Sequence, residues 1–295
     1  MFEEEIIPLP TDVFRLISDL INDYCGIYFD LSSKYIVERR LNRRLKVNHM
    51  RDFREYYRLL MYDRKRNEEL QNIIDILTVN ETYFFREQNQ LSAFSEEIFP
   101  ELLVKNRNKK RINIWSAGCS TGEEPYTIAM LIIEKGCPDD WDINIIGSDI
   151  SQRVLHVARD GSYKKNSFRA TNQHFIKNYF HEQQSGDQKI SDKVKKLVNF
   201  NYLNLLDPFK VRLLGEMDVI FCRNVLIYFS QTARKKVIEN FFEILSEGGH
   251  LLLGHTESLI NISTAFTLKH LKHDMVYQKP ERPLNKSMLE KGNII

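Results

Sequence analysis

The chain has 295 residues, of which 42% are hydrophobic, and its 42 Lys and Arg against 40 Asp and Glu give a formal net charge of +2. This composition is typical of a folded globular protein and excludes a chain that is disordered for lack of apolar residues. The small net charge gives no reason to expect binding to nucleic acid.

The composition also favours a cytoplasmic location. No apolar run approaches the roughly 18 residues of a membrane helix, so we expect no insertion into a membrane. The start MFEEEIIPLPTD is acidic and lacks an apolar core, so we expect no signal peptide. The four cysteines are far apart and form no CxxC pair, which suits a reducing compartment.

The first 78 residues are predicted to form an all-α domain. Apolar residues recur at helical spacing in four stretches, at 13–21, 37–45, 53–61 and 70–77. Thr11 and Ser33 precede the first two stretches as candidate helix caps.

Positive charge is concentrated in this domain. The segment 34–66 contains twelve Lys and Arg against four Asp and Glu, an excess of eight that leaves −6 for the other residues. Such a segment is either a solvated charged face or a docking surface for an acidic partner.

From residue 91 to about 280, strands and helices are predicted to alternate. The predicted strands are RINIW, INIIGSD, LVNFNYLN, MDVIFCRN, HLLLGH and DMVYQK, and the predicted helices cover 123–135, 151–159 and 231–245, the last ending at Gly248-Gly249. This alternation indicates βαβ units and a largely parallel, Rossmann-like sheet. The polar stretch 160–196 is too long for a bare loop, so we predict a small inserted subdomain there. The tail 281–295 is expected to be disordered.

The stretch WSAGCSTGEEPY, residues 115–126, indicates the kind of ligand. It joins a strand to a helix, where a dinucleotide-binding fold holds a pyrophosphate, but Glu123 and Glu124 would repel one. Asp149 follows the next strand, where a carboxylate accepts hydrogen bonds from ribose hydroxyls. S-adenosylmethionine has a ribose and a cationic methionine in place of the pyrophosphate, so it fits this pattern. The alternative is that both glutamates only stabilise the start of the helix.

Six motifs in order resemble the CheR family of chemotaxis-receptor glutamate O-methyltransferases. They are NETYFFRE (80–87), WSAGCSTGEEPY, GSDIS, NLL (204–206), FCRNVLIYF (221–229) and GGHLLLGHTESL (248–259). The resemblance runs from the N-terminal domain to about Lys279. It implies an all-α domain (1–78), a linker (79–90), and a Rossmann-like methyltransferase domain (91–280) with a small antiparallel β subdomain inserted at about 160–196.

The resemblance also implies the site residues. Residues that would bind the cofactor are Asn80, Thr82, Arg86, Glu124, Asp149, Asn204, Leu205, Arg223 and Asn224. Arg86 would offer its planar guanidinium to the methionine carboxylate. Tyr228 would stand near the transferred methyl group as the catalytic residue. From the residues alone, Glu123 remains an alternative to Glu124, Thr82 could be a helix cap, and Tyr228 could be a core residue.

The implied reaction is methylation of receptor glutamates, which gives methyl esters and S-adenosylhomocysteine. A glutamate has a pKa of about 4.3, so the acceptor is already deprotonated near neutral pH and no catalytic base is needed. The alternatives are a methyltransferase for another substrate and a non-catalytic signalling module. The prolines typical of base-amino methyltransferases are missing from CRNVLIY, which argues against a nucleic-acid substrate. We expect a monomer that binds the acidic helical domains of methyl-accepting chemotaxis receptors, and no metal site, because the pairs His250/His255 and His270/His273 lack clustered ligand partners.

Overall fold

The computed structural model describes residues 6–138 and 140–281. The predicted disordered tail therefore lies, except for its first residue, outside the described residues. Among the described residues, no helix combines the length and the apolar composition needed to cross a bilayer.

Within the described residues, the N-terminal domain folds into four α-helices, as predicted. They are α1 Thr11–Cys25, α2 Lys34–Val47, α3 Phe53–Tyr62 and α4 Arg66–Leu77. Their apolar faces meet in one core of buried Leu, Ile, Val and aromatic side chains. The cap of α1 differs from the prediction, because Pro10 precedes the helix and Thr11 is its first residue.

The second part of the chain alternates strands and helices. The helices are α5 Gln88–Ala93, α6 Phe99–Lys105, α7 Glu123–Lys135, α8 Gln152–Asp160, α9 Gln173–Tyr179, α10 Asp192–Lys195, α11 Pro208–Arg212 and α12 Gln231–Ile244. The strands are β1 Arg111–Ala117, β2 Asp142–Asp149, β3 Ser162–Tyr163, β4 Phe180–Glu182, β5 Gln188–Ile190, β6 Val198–Tyr202, β7 Met217–Cys222, β8 Leu245–Leu253, β9 Thr267–His270 and β10 Met275–Gln278.

Seven of these strands form one sheet in the order β6-β2-β1-β7-β8-β10-β9. The strands from β6 to β8 are parallel, whereas β10 and β9 add an antiparallel edge. Successive side chains of β1 point to opposite faces, so that Ile112 and Ile114 pack in one hydrophobic cluster and Trp115 and Ala117 in the other.

The small strands β3, β5 and β4 form a separate antiparallel sheet in the predicted insertion. Its aromatic residues pack on the linker, since Phe84 lies against Tyr163, Phe168 and Phe180 with ring centroids 4.8–5.1 Å apart. The predicted fold class is therefore confirmed: an all-α domain precedes a Rossmann-like domain with a small inserted antiparallel β subdomain.

The predicted helix 231–245 agrees with α12 to within one residue, but the predicted role of Gly248-Gly249 as its stop is wrong. Both glycines lie inside β8, which begins directly after α12. Backbone hydrogen bonds account for the difference, because the N–H of Gly248 donates to the carbonyl of Lys279 and the N–H of Lys279 donates to that of Gly249. This pairing extends the strand over the glycines.

The N-terminal domain is joined to the sheet by backbone hydrogen bonds beyond the linker. Ile27 and Phe229 form an isolated antiparallel bridge. The N–H of Tyr28 donates to the carbonyl of Tyr228 at 2.9 Å. Because these residues flank the carboxyl ends of the strands, the helical domain covers that edge of the sheet.

Candidate functional site

A cavity of about 310 Å³ lies between the N-terminal domain and the carboxyl ends of the parallel strands. The chain runs from β1 outward to β2 and β6 and then returns to β7 on the other side of β1, so this edge contains the switch point of the sheet. All ten predicted site residues line the cavity: Asn80, Thr82, Arg86, Glu124, Asp149, Asn204, Leu205, Arg223, Asn224 and Tyr228.

The loop after β1 is held against the end of β2. The N–H groups of Gly118 and Cys119 donate to the carbonyl of Ser148. The N–H of Ser120 donates to Asp149 Oδ2 at 2.9 Å. Gly118 has a φ of +77°, and a Cβ there would lie 2.5 Å from a methyl group of Val225, so this close approach requires glycine.

Asp149 is a buried carboxylate at the wall of the cavity. Burial raises its pKa, and the N–H groups of Ser151 and Ser120, each 2.9 Å from one carboxylate oxygen, counteract the rise. Each oxygen accepts one of these bonds and retains a lone pair for a further donor.

Arg223 joins two carboxylates at the opposite side of the cavity. Its guanidinium lies 3.2 Å from Glu124 and 3.3 Å from Glu87, and it also donates to the carbonyl of Arg86. The Arg223 side chain is only 2% exposed. Burial raises the pKa of Glu124, and the positive charge of Arg223 opposes that rise. The hydrogen bonds of Arg223 thus go to protein groups around the cavity.

Glu123 and Glu124 occupy different places. Glu124 lines the cavity and accepts a hydrogen bond from Ser116 Oγ at 2.7 Å. Glu123 is buried outside the cavity lining, where Thr121 and Ser167 donate to it at 2.6 and 3.0 Å. Glu123 therefore connects the first loop to the inserted subdomain, and Glu124 is the carboxylate that faces the cavity.

The side-chain amide of Asn204 is engaged with protein groups. Its Nδ2 donates to the carbonyl of Tyr24 at 2.6 Å, and its Oδ1 accepts from the N–H of Leu206 at 3.0 Å. Asn204 thus anchors α1 to the loop after β6. Apolar side chains surround this end of the cavity: Cys25, Ile27, Phe29, Ile150, Leu203 and Leu205.

Asn224 lines the cavity and has a buried acceptor without a partner among the described residues. It has the left-handed backbone that is uncommon for residues other than glycine, with φ at +58°. Its Nδ2 donates to Glu87 Oε1 at 3.2 Å. Its Oδ1 is buried and has no hydrogen-bond partner within the ranges described. A buried acceptor without a partner is uncommon in folded proteins, and it marks this residue of the cavity lining as unusual.

Tyr228 and the linker complete the walls. Tyr228 is 36% exposed and so is not a core residue, and burial of part of the ring raises the pKa of its hydroxyl. Thr82 lies in a segment that is neither helix nor strand, and the next helix begins at Gln88, so it caps no helix. The guanidinium of Arg86 donates a hydrogen bond to the carbonyl of Glu81 at 3.1 Å.

The sequence interpretation missed two residues near the cavity. Glu87 binds Arg223 and Asn224, and Glu257 binds the loop that carries Asn224. Both stand inside quoted motifs, NETYFFRE and GGHLLLGHTESL, but neither was assigned a role. The apolar wall from the N-terminal domain was also missed, because motif order does not show which surfaces meet.

The pairs His250/His255 and His270/His273 were considered as metal ligands. In the structure, the three of these histidines that make side-chain contacts have different neighbours. His250 lies between Lys269 and Gln278, His255 is 3.4 Å from Asp274, and His273 is 2.7 Å from Glu96. In the described part of the chain, no three His, Cys, Asp or Glu residues cluster in a way that could hold a metal ion.

Comparison with known proteins shows to which family this chain belongs. Residues 12–78 match the family described as CheR methyltransferase, all-alpha domain, and residues 80–275 match CheR methyltransferase, SAM binding domain. The chain is similar to Chemotaxis protein methyltransferase 2 of Vibrio cholerae serotype O1, at 39% identity over 94% of this chain and 96% of the relative. It is also similar to the Chemotaxis protein methyltransferase of Borreliella burgdorferi, at 36% identity over 84% of this chain and 88% of the relative. Because two family domains in sequence span nearly all of the described residues, the chain belongs to the CheR methyltransferase family.

Proposed function

We propose that this protein methylates glutamate side chains in the cytoplasmic domains of chemoreceptors, with S-adenosylmethionine as methyl donor. The observation that carries the proposal is that all ten predicted site residues, which come from five of the six motifs, line one cavity. Family membership identifies the protein as an S-adenosylmethionine-dependent methyltransferase of bacterial chemotaxis. We further propose that it acts in the cytoplasm as a monomer.

The cavity suits S-adenosylmethionine in its chemistry. Asp149 offers carboxylate acceptors of the kind that ribose hydroxyls require, and the unpaired Oδ1 of Asn224 offers an acceptor for a further donor. Leu203 and Leu205 provide apolar contact for an adenine ring. Arg86 and Glu124 lie on the same cavity and carry the opposite charges that an amino-acid end needs. The residues present therefore fit the cofactor.

We assign each residue a role on this basis. Asp149 would hold the ribose, Leu205 would pack on the adenine, and Arg86 and Glu124 would hold the methionine carboxylate and ammonium groups. Asn80, Thr82, Asn204, Arg223 and Asn224 remain predicted cofactor contacts. The side-chain hydrogen bonds of Asn204 and Arg223 go to protein groups. These two residues would therefore affect the cofactor mainly by positioning the neighbouring parts of the cavity wall.

The chain's contribution to the reaction is placement and exclusion of water. When bound, S-adenosylmethionine supplies a methyl group on a cationic sulfur. The acceptor glutamate arrives deprotonated, so the protein need not remove a proton. Tyr228 stands at the mouth, its hydroxyl without a hydrogen-bond partner among the described residues, and is free to hold the acceptor. Tyr28, Ile36 and Val79 also line the cavity although each is about half exposed, so they form an apolar rim that keeps water from the charges.

One labelling experiment tests the proposal. We expect radiolabelled S-adenosylmethionine to label the receptor when the protein is incubated with membranes that contain a chemoreceptor. Mild alkali should then release the label as methanol, because hydroxide attacks an ester carbonyl, whereas methyl groups on nitrogen are stable. Replacing the receptor glutamates by alanine should abolish the label. Alkali-stable label, or label in nucleic acid, would overturn the assignment.

The phenol group of Tyr228 is testable in the same assay. We expect Tyr228→Phe to lower kcat by roughly 10- to 100-fold and to leave cofactor affinity within about 3-fold, since its role is placed at the transfer step. Tyr62→Phe is the matched control, because Tyr62 is 81% exposed on α3 and does not line the cavity. Equal kcat for both variants would exclude Tyr228 from the transfer step.

Two of the four arginines of α2 are exposed and available for docking of an acidic receptor helix. Arg44 is committed to Glu69, at 2.6 Å, and Arg40 donates to the carbonyls of Ile76 and Leu77. Arg39 and Arg43 are exposed and stand one helical turn apart on α2. Among the arginines of α2, the predicted docking surface therefore rests on these two side chains.

We expect Arg39→Glu with Arg43→Glu to raise KM for the receptor by about 10-fold or more at low salt, where charge steering is strongest, and to leave cofactor affinity unchanged. The effect should shrink as salt is added. The control is Arg107→Glu with Lys196→Glu, which makes the same change of net charge before β1 and β6, at the opposite edge of the sheet. If both double variants have the same KM, α2 is only a solvated face.

A further inference from the structure

The loop after β7 carries the cavity residues Asn224 and Tyr228, and the backbone of Asn224 is left-handed. Asn224 has a φ of +58°, and Leu226–Tyr228 form a single turn of 3-10 helix. A left-handed residue other than glycine persists only where the surroundings hold it. The position of Tyr228 therefore depends on whatever fixes this loop.

Glu257 is the group that fixes it. Its Oε1 accepts hydrogen bonds from the N–H groups of Val225 and Ile227, at 2.9 and 3.2 Å. Its Oε2 accepts from the N–H groups of Asn224 and Gly254, at 2.7 and 2.8 Å. An ionised carboxylate has about four acceptor positions, so this set of four donors uses all of them.

The arrangement also ties the loop to the sheet. Gly254 directly follows β8, and a Cβ at this position would lie 2.8 Å from the backbone nitrogen of Asn224, from Asn224 Nδ2 and from Glu257 Oε2. The end of β8 and the loop after β7 are thus in direct contact, with the carboxylate between them. Glu257 does not line the cavity itself.

We propose that Glu257 is a positioning residue for methyl transfer, which acts by holding the backbone of the loop that carries Asn224 and Tyr228. It touches neither the cofactor nor the acceptor. With the loop held, both Asn224 and Tyr228 keep their places in the cavity wall. This inference rests on the proposed function, because it concerns the rate of the same reaction.

Glu257→Gln tests the inference. Glutamine keeps the shape of the glutamate side chain. Its single oxygen can accept only some of the four hydrogen bonds, and its NH₂ group would face backbone N–H donors. We expect kcat for receptor methylation to fall about 100-fold, the scale of a misplacement of about 1 Å in an active site. Gly254→Ala is a second variant, since its Cβ would press on the same loop while leaving the carboxylate in place.

The decisive measurement is made in the Tyr228→Phe background. If Glu257 acts through Tyr228, Glu257→Gln should lower kcat by less than about 5-fold there, because coupled residues give non-additive effects. A purely structural role would give the same fold-loss in both backgrounds. Glu97→Gln is the matched control: its carboxylate also accepts from backbone N–H groups, those of Lys272 and His273, but outside the cavity. It should leave kcat within about 2-fold of wild type.

Each result has a distinct meaning. Wild-type protein that does not methylate receptors would overturn the proposed function. Active wild-type protein with either full additivity or an unchanged kcat in Glu257→Gln would overturn only the role of Glu257. If Glu257→Gln does not fold, the same comparison with Gly254→Ala decides.

Discussion

Arg223→Ala is expected to lower the free energy of unfolding by about 3–5 kcal/mol, the cost of leaving buried charges without their partner. The Arg223 guanidinium bridges Glu87 and Glu124, whose side chains are only 12% and 17% exposed. Without it, two carboxylates would share a poorly hydrated space. Urea denaturation of the variant and of wild type measures the difference.

The control for this prediction is Arg212→Ala. Arg212 also makes a two-bond pair, with Glu243 at 2.8 and 3.3 Å, but its side chain is 60% exposed. An exposed pair contributes about 0–1 kcal/mol, so this variant should be nearly as stable as wild type. Equal losses for the two variants would show that Arg223 is not a buried counter-charge.

The pH dependence of the stability of Arg223→Ala follows from the pKa of Glu124. Burial raises the pKa of Glu124 in the folded state, and removing Arg223 would raise it further. A carboxyl group whose folded pKa exceeds its unfolded pKa binds more protons when folded, so stability increases as pH falls through that window. The deficit of Arg223→Ala should therefore shrink as the pH falls toward the ordinary pKa of a glutamate, about 4.3. Adding Glu124→Gln should recover part of the lost stability and remove part of this pH dependence.

The Arg223 cluster shows why the motifs predicted the site's members but not their contacts. Arg223 is separated from Glu87 by 136 residues and from Glu124 by 99. Sequence order indicates that both the strand end and the linker belong to one site, but which side chains pair depends on how the linker crosses the sheet. The same holds for Asn204, whose partner Tyr24 is 180 residues away in another domain.

The main elements of the fold follow from local patterns. The alternating apolar runs place β2 and β7 within a residue or two of their observed bounds, and α7 coincides with its predicted range, because these elements bury continuous apolar surface. The strand β9 was missed, since its four residues are largely exposed and show no buried alternation. The helices α5 and α6 were also missed. They are joined by the π-helical turn Phe94–Ile98, with Pro100 at the start of α6, which interrupts a regular helical pattern.

The second large expected effect concerns the cofactor. Asp149 was predicted from its place after the second strand, and the structure adds that its carboxylate also accepts from the N–H of Ser120. Ser120 Oγ in turn donates to the carbonyl of Asn80 at 3.2 Å, so the first loop and the linker meet beside this carboxylate. Loss of the Asp149 side chain would both remove the proposed ribose contact and loosen the loop after β1.

Asp149→Ala should therefore weaken binding of S-adenosylhomocysteine by about 1–3 kcal/mol, the scale of lost charge-assisted hydrogen bonds. Asp149→Asn should have an intermediate effect, because an amide keeps one oxygen as acceptor. Titration calorimetry on folded variants gives both values. Asp207→Ala is the matched control, since Asp207 accepts from the N–H of Lys210 at the start of α11 and does not line the cavity. If Asp149→Ala binds as tightly as Asp207→Ala, then Asp149 does not hold the ribose, and the ribose contact must be assigned to another group on this cavity.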